Sequence, residues 1–183
     1  MGALLVSGED RAATYGYAAV EAALARVFLE NSKNIAPLRG RLKAFQRAGL
    51  TPESPGRGRV IRYTIANIYD WALALALADF GLPPESIIPF IKQGYFYDDY
   101  LPTIAKEKND FLFFCVRPFI LNNPEKRLPY HVKLGSQIAA EIKRNGRRPK
   151  DAYALHDRVA LINLTKLAGD LDKALKEVKD ERG

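Results

Sequence analysis

The sequence predicts an α+β chain, mostly helical, in which a helical N-terminal part is followed by a smaller mixed α/β part. Three observations carry this. Apolar residues recur at helical spacing over Tyr17–Glu30 (YAAVEAALARVFLE), over 36–49 and over 65–79. β-branched and aromatic runs are confined to short stretches, chiefly Val60-Ile61-Arg62-Tyr63-Thr64, Phe111–Leu121 and Val159–Asn163. The character of the chain also changes after Gln93-Gly94, where Tyr95-Phe96-Tyr97-Asp98-Asp99-Tyr100 is aromatic and acidic. This places an expected boundary between residues 1–93 and 94–183.

The elements follow in order. Val20, Leu24, Val27 and Phe28 stripe the first helix, and Asn31-Ser32-Lys33-Asn34 ends it with turn formers. Ala36-Pro37 opens a second helix, because proline is tolerated in a first turn, and Gly49 supplies its C-cap. Its apolar stripe is Leu38, Leu42 and Phe45, while Arg39, Arg41, Lys43 and Arg47 cover the remaining faces. Thr51–Thr64 holds two prolines and two glycines before an alternating run, which reads as a loop entering a short strand or hairpin with Arg57, Arg59 and Arg62 on its arms. Thr64 is the expected N-cap of a helix to about Asp79 that turns Ile65, Ile68, Trp71 and Leu75 inward and stops at Gly81. A short helix follows from Glu85 to Lys92.

In the second part, Phe111–Leu121 is strand-forming, Asn122-Asn123-Pro124-Glu125 is a turn, Tyr130–Lys143 is mixed, and Val159–Asn163 is a second strand. Leu164 to Lys179 is expected as a helix. There Leu164, Leu167, Leu171, Ala174 and Val178 follow 3, 4, 3, 4 spacing, so one face is built to pair with another helix. Either that pairing is a dimer seam or it closes the chain's own core.

Composition removes several function classes. One cysteine, Cys115, excludes an internal disulfide and a Cys-rich zinc site, and the two histidines, His131 and His156, leave little for a His-based metal cage. No GxxxxGK[ST], GxGxxG or HExxH pattern occurs, and Asp98 and Asp99 are adjacent, so they point apart. The expectation is therefore no enzyme, no catalytic residues, no cofactor and no metal. Trp71–Ala78, the most apolar run, is flanked by Asp70 and Asp79 and is far shorter than the roughly 20 residues of a membrane span. Met1–Val6 is too short for a signal peptide's apolar region, so cytoplasm is the expected compartment and no membrane partner is expected.

The formal net charge is +7 among 183 residues, and it is segregated. Residues 35–63 carry seven basic side chains against one acidic, and 106–150 carry eleven against four, with an acidic stretch between them. Such patches are the pattern of local anion-binding surfaces. The run Lys143-Arg144-Asn145-Gly146-Arg147-Arg148-Pro149-Lys150 is a second candidate, read either as a phosphate or acidic-protein contact or as a solubilising loop.

A helix, a turn, a basic helix ending in Ala48-Gly49-Leu50 and an Arg/Gly-rich arm form an ordered set. In such a set the cationic helix enters the major groove while a wing reaches the adjacent backbone. Leu42-Lys43-Ala44-Phe45-Gln46-Arg47-Ala48-Gly49-Leu50, the Arg62-Tyr63-Thr64 entry to the next helix, and Phe80-Gly81-Leu82-Pro83-Pro84-Glu85-Ser86-Ile87-Ile88 together carry a resemblance. Residues 17–92 resemble the winged helix-turn-helix DNA-binding domain of the MerR family, with Ala44 where the family has the first of two tyrosines. Residues 94–183 carry no such resemblance.

The resemblance implies a sequence-specific, double-stranded-DNA-binding transcriptional regulator of bacterial or phage type, associated with the nucleoid. Its expected DNA-binding residues are Arg39, Arg41, Lys43, Arg47, Arg57, Arg59, Arg62 and Tyr63. A homodimer is expected, with Leu164, Leu167, Leu171 and Val178 as the candidate contact and RNA polymerase or another regulator as a further candidate partner. The alternative is a protein-binding adaptor whose winged helix is structural, with DNA binding weak or absent.

Overall fold

The computed structural model describes residues 14–29, 34–50, 60–92, 110–115, 130–143 and 159–180. In chain order the elements are β1 (Thr14–Tyr15), α1 (Tyr17–Phe28), α2 (Ala36–Arg47), β2 (Tyr63–Thr64), α3 (Ile65–Asp79), α4 (Pro84–Lys92), β3 (Asp110–Cys115), β4 (Tyr130–Leu134), α5 (Gly135–Lys143), β5 (Val159–Asn163) and α6 (Leu164–Asp180). The described residues are mostly helical with small sheets, an α+β arrangement.

Local chemistry sets the helix ends. Asn34 Oδ1 accepts from the Ala36 amide at 3.1 Å, and proline stands in the first turn of α2. At its other end Gly49 adopts φ +86°, the Leu50 amide donates to Phe45 O at 3.0 Å and the Gly49 amide to Gln46 O at 3.1 Å. This pair of bonds is a Schellman motif, and its apolar partners Phe45 and Leu50 are both buried. Thr64 caps α3 as its spacing predicts, in a reciprocal box with Asn67. Asn163 caps α6 with a single bond, accepting from the Lys166 amide at 2.8 Å.

β1 and β2 form a two-residue antiparallel ladder, Thr14 opposite Thr64 and Tyr15 opposite Tyr63. The strand predicted after the arginine-rich loop is thus paired with the residues just before α1; residues 51–59, with Arg57 and Arg59, lie outside the described residues. The second sheet is antiparallel in the order β4-β3-β5, with Phe113 opposite both His131 and Leu161. The segment Tyr130–Lys143, expected as mixed, divides into β4 and α5 at Leu134.

Helix α3 is the centre of the core. Ile68–Leu75 and Leu77 are all buried, so the helix is apolar almost all round and must be surrounded. Helices α2 and α4 pack against it, and α6 packs along α1 and against α3. A single apolar cluster therefore holds Val20, Leu24, Trp71 and Leu73 together with Ile162, Leu164, Leu171 and Val178.

Two expectations change here. The expected division after residue 93 does not separate two cores, because α6 lies across it. The candidate dimer seam is an internal one: Leu164 and Leu171 are fully buried, Val178 is buried and Leu167 packs partly buried against the same cluster. Helical spacing announces an apolar face, and a nearby apolar surface on α1 and α3 claims it before a second copy can.

Candidate nucleic-acid interface

Leu38, Leu42 and Phe45 anchor the inner face of α2 in the core. At 100° per residue, Arg39, Lys43 and Arg47 then form one row that climbs from the edge facing α1 to the solvent side, and Arg41 falls on the opposite flank. Ala36, Gly40 and Ala44 occupy the outward positions between them, all exposed.

The row is not chemically uniform. Arg39 Nε and Nη2 each donate at 2.8 Å to the two oxygens of Glu21 on α1, a bidentate fork on a carboxylate that is itself buried. Those bonds hold the Glu21 carboxyl below its ordinary range against the opposing effect of burial. Tyr17, one turn earlier on α1, is pushed up by its own burial and then by the Glu21 charge. Arg41 Nη1 donates to Asp79 Oδ1 at the last residue of α3.

Lys43 and Arg47 are exposed and have no hydrogen-bond or ion-pair partner among the described residues. Arg62 is exposed as well. Beyond the C-terminal end of α2, Lys92 brings its Nζ to 3.5 Å from the point that a Cβ on Gly49 would occupy. The sequence marks this lysine only as the last residue of a short helix, because its approach to Gly49 depends on how two helices cross.

Tyr63 needs correction as an interface residue. It is 1% exposed, and its ring lies 5.1 Å from that of Trp71, which in turn meets Tyr17 edge-on at 6.1 Å. In a two-residue strand, alternation puts one side chain in and one out; Arg62 and Thr64 take the exposed side and Tyr63 the buried one.

Lys43 and Arg47 can therefore present cations to an anionic surface from α2, and Arg62 before β2 is exposed as well, whereas Arg39 and Arg41 are engaged with carboxylates. Among the described residues there is no group of three His, Cys, Asp or Glu side chains that could hold a metal ion, and no helix is long and apolar enough to cross a membrane. Cys115 ends β3 and His131 lies in β4; His156, the aromatic segment 95–100 and the basic residues 144–150 lie outside the described residues. No family model matches the chain, and no curated protein compared with it is similar.

Proposed function

We propose that the chain binds double-stranded DNA through the outward face of α2 and acts as a sequence-specific transcriptional regulator. The observation that carries the reading is the pair Lys43 and Arg47: exposed, without a hydrogen bond or ion pair among the described residues, and mounted on a helix whose inner face is fixed in the core. Ammonium and guanidinium groups so placed donate to phosphates, and an arginine pairs bidentately with guanine in the major groove. The small outward residues Ala36, Gly40 and Ala44 let the helix backbone approach closely. The resemblance of residues 17–92 to the MerR winged helix-turn-helix supports the same role for α1 and α2, and it implies contacts to the flanking backbone from Arg62 and from Arg57 and Arg59, which lie outside the described residues.

One helix reads a short half-site, so a two-fold dimer belongs to this reading. Its contact lies elsewhere than Leu164, Leu171 and Val178, which the core uses.

Selection from a randomised duplex library, followed by anisotropy titration across salt concentrations, tests the proposal. A recurrent motif is expected for the wild-type chain, and Lys43→Ala/Arg47→Ala should flatten the log–log salt dependence by roughly 2, about 0.9 for each phosphate no longer neutralised. A folded chain that enriches no motif and binds every duplex equally weakly overturns it and favours the adaptor reading.

A further inference from the structure

The four basic side chains of α2 divide by what they touch. Arg39 grips Glu21 through two bonds of 2.8 Å, and the Glu21 side chain is 9% exposed against 54% for Arg39. For Arg39 to reach a phosphate it must strip that buried carboxylate of both its guanidinium bonds, the largest influence holding it charged, which costs more than one solvent-exposed phosphate contact returns. A fork on a carboxylate also fixes orientation as well as distance, which a lysine at the same place does not. Arg41 makes a weaker contact on the other flank, to Asp79 at the end of α3, where both side chains are half exposed.

We infer that Arg39 and Glu21 are positioning residues: their bidentate pair sets the angle of α2 against α1, with Arg41 and Asp79 steadying the other flank, so that Lys43 and Arg47 face the DNA. This rests on the DNA-binding reading above and divides its residues into those that contact and those that aim. Arg39 sits in the first half of α2 and Glu21 in the middle of α1, so the pair spans the two helices of the motif where no backbone hydrogen bond joins them. The Schellman turn and Leu50 hold the far end of α2, so the clamp supplies the second fixed point that a rigid helix needs.

Glu21→Gln separates aiming from contact by the sign of its effect. It adds one unit of positive charge and releases Arg39. Were Arg39 a phosphate ligand held back by Glu21, the variant would bind all duplexes more tightly and steepen the salt dependence by about 0.9. A positioning role predicts that affinity for the selected duplex falls about tenfold, the order of one mismatched base pair. Affinity for poly(dI-dC) and both salt slopes should stay as in the wild type. Arg39→Lys, which keeps the charge and loses the fork, should behave likewise, whereas Lys43→Ala should flatten the slope on both DNAs.

The full-length chain is used throughout, with circular dichroism to establish folding; a merely structural loss lowers both affinities together, and Arg39→Lys serves if Glu21→Gln does not fold. Hydrogen exchange without DNA supplies an independent reading: amides of 39–43 should exchange faster in both variants, and by a larger factor than those of α3, which follow only the change in global stability. An unaltered ratio of specific to non-specific affinity, or tighter binding to both DNAs, overturns the inference. If the wild-type chain selects no duplex, the DNA reading itself fails, and exchange then decides the clamp: a larger acceleration in 39–43 than in α3 sustains it, and an equal or absent one refutes it.

Discussion

The Tyr69 hydroxyl on α3 donates to Asp172 Oδ1 on α6 across 2.6 Å, joining residues 103 positions apart. It is a polar bond set into the apolar seam by which the last helix closes over the N-terminal ones. Burial, and then the bond and charge of Asp172, push the phenol well above its ordinary 10.0, so it stays a neutral donor.

Tyr69→Phe should therefore cost about 1.5–3 kcal/mol, the range for a hydrogen bond to a charged group. The readout is a lower urea midpoint with the slope of the transition unchanged. The pH dependence has a definite sign. A folded-state pKa raised above the unfolded one stabilises fully below pH 10.0 and is lost as pH climbs beyond it. Wild type should lose stability in that alkaline range relative to Tyr69→Phe; parallel curves would refute the assignment.

Leu171 is fully buried between α6 and the helices it covers. Leu171→Ala should destabilise by about 2–5 kcal/mol, the transfer loss plus the cavity. Leu171→Glu should abolish cooperative unfolding in circular dichroism. A folded, soluble Leu171→Glu monomer would instead place this residue in a seam between copies.

Glu21 fixes an acid limb. Its folded-state pKa is lowered below 4.5, first by the Arg39 bonds, so its stabilisation is complete above that value and disappears as pH falls through the depressed one. The difference in unfolding free energy between wild type and Glu21→Gln should be about 1 kcal/mol at neutral pH, kept small because the half-exposed Arg39 charge is screened by water. It should shrink to nothing in acid, measured by urea titrations at stepped pH. A difference that grows on acidification would contradict the pairing.

Gly49 holds φ +86°, where a Cβ is strained whatever the surrounding space. Gly49→Ala should cost about 1–2 kcal/mol, and Gly49→Asn less, because asparagine tolerates the left-handed region. Thermal midpoints in that order check it; equal midpoints for glycine and alanine would mean the turn relaxes into another conformation.

Much of the local structure is legible in the residues. Asn34-Ile35-Ala36-Pro37 and Ala48-Gly49-Leu50 bound α2, Thr64 begins α3, Gly81 ends it at φ +81°, and Val159–Asn163 hands over to a helix at Leu164. These signals are short-range: a cap or a positive φ depends on residues within one turn, all adjacent in sequence. The candidate site was legible only as a basic helix. That Arg39 meets Glu21, 18 positions earlier, and Arg41 meets Asp79, 38 positions later, depends on how three helices cross.

By itself, then, the sequence determined most of the helices and the strands entering α3 and α6, which faces are apolar and which helix is cationic, but not β1 or the division of Tyr130–Lys143 into β4 and α5. Tertiary structure decided what each face meets. The stripe of α6 lies in the chain's own core, Tyr63 turns inward against Trp71, and of the α2 cations only Lys43 and Arg47 make no hydrogen bond or ion pair among the described residues. Periodicity specifies that a surface must be buried or solvated, but the burying surface or the opposing carboxylate is chosen by packing between segments far apart in the chain.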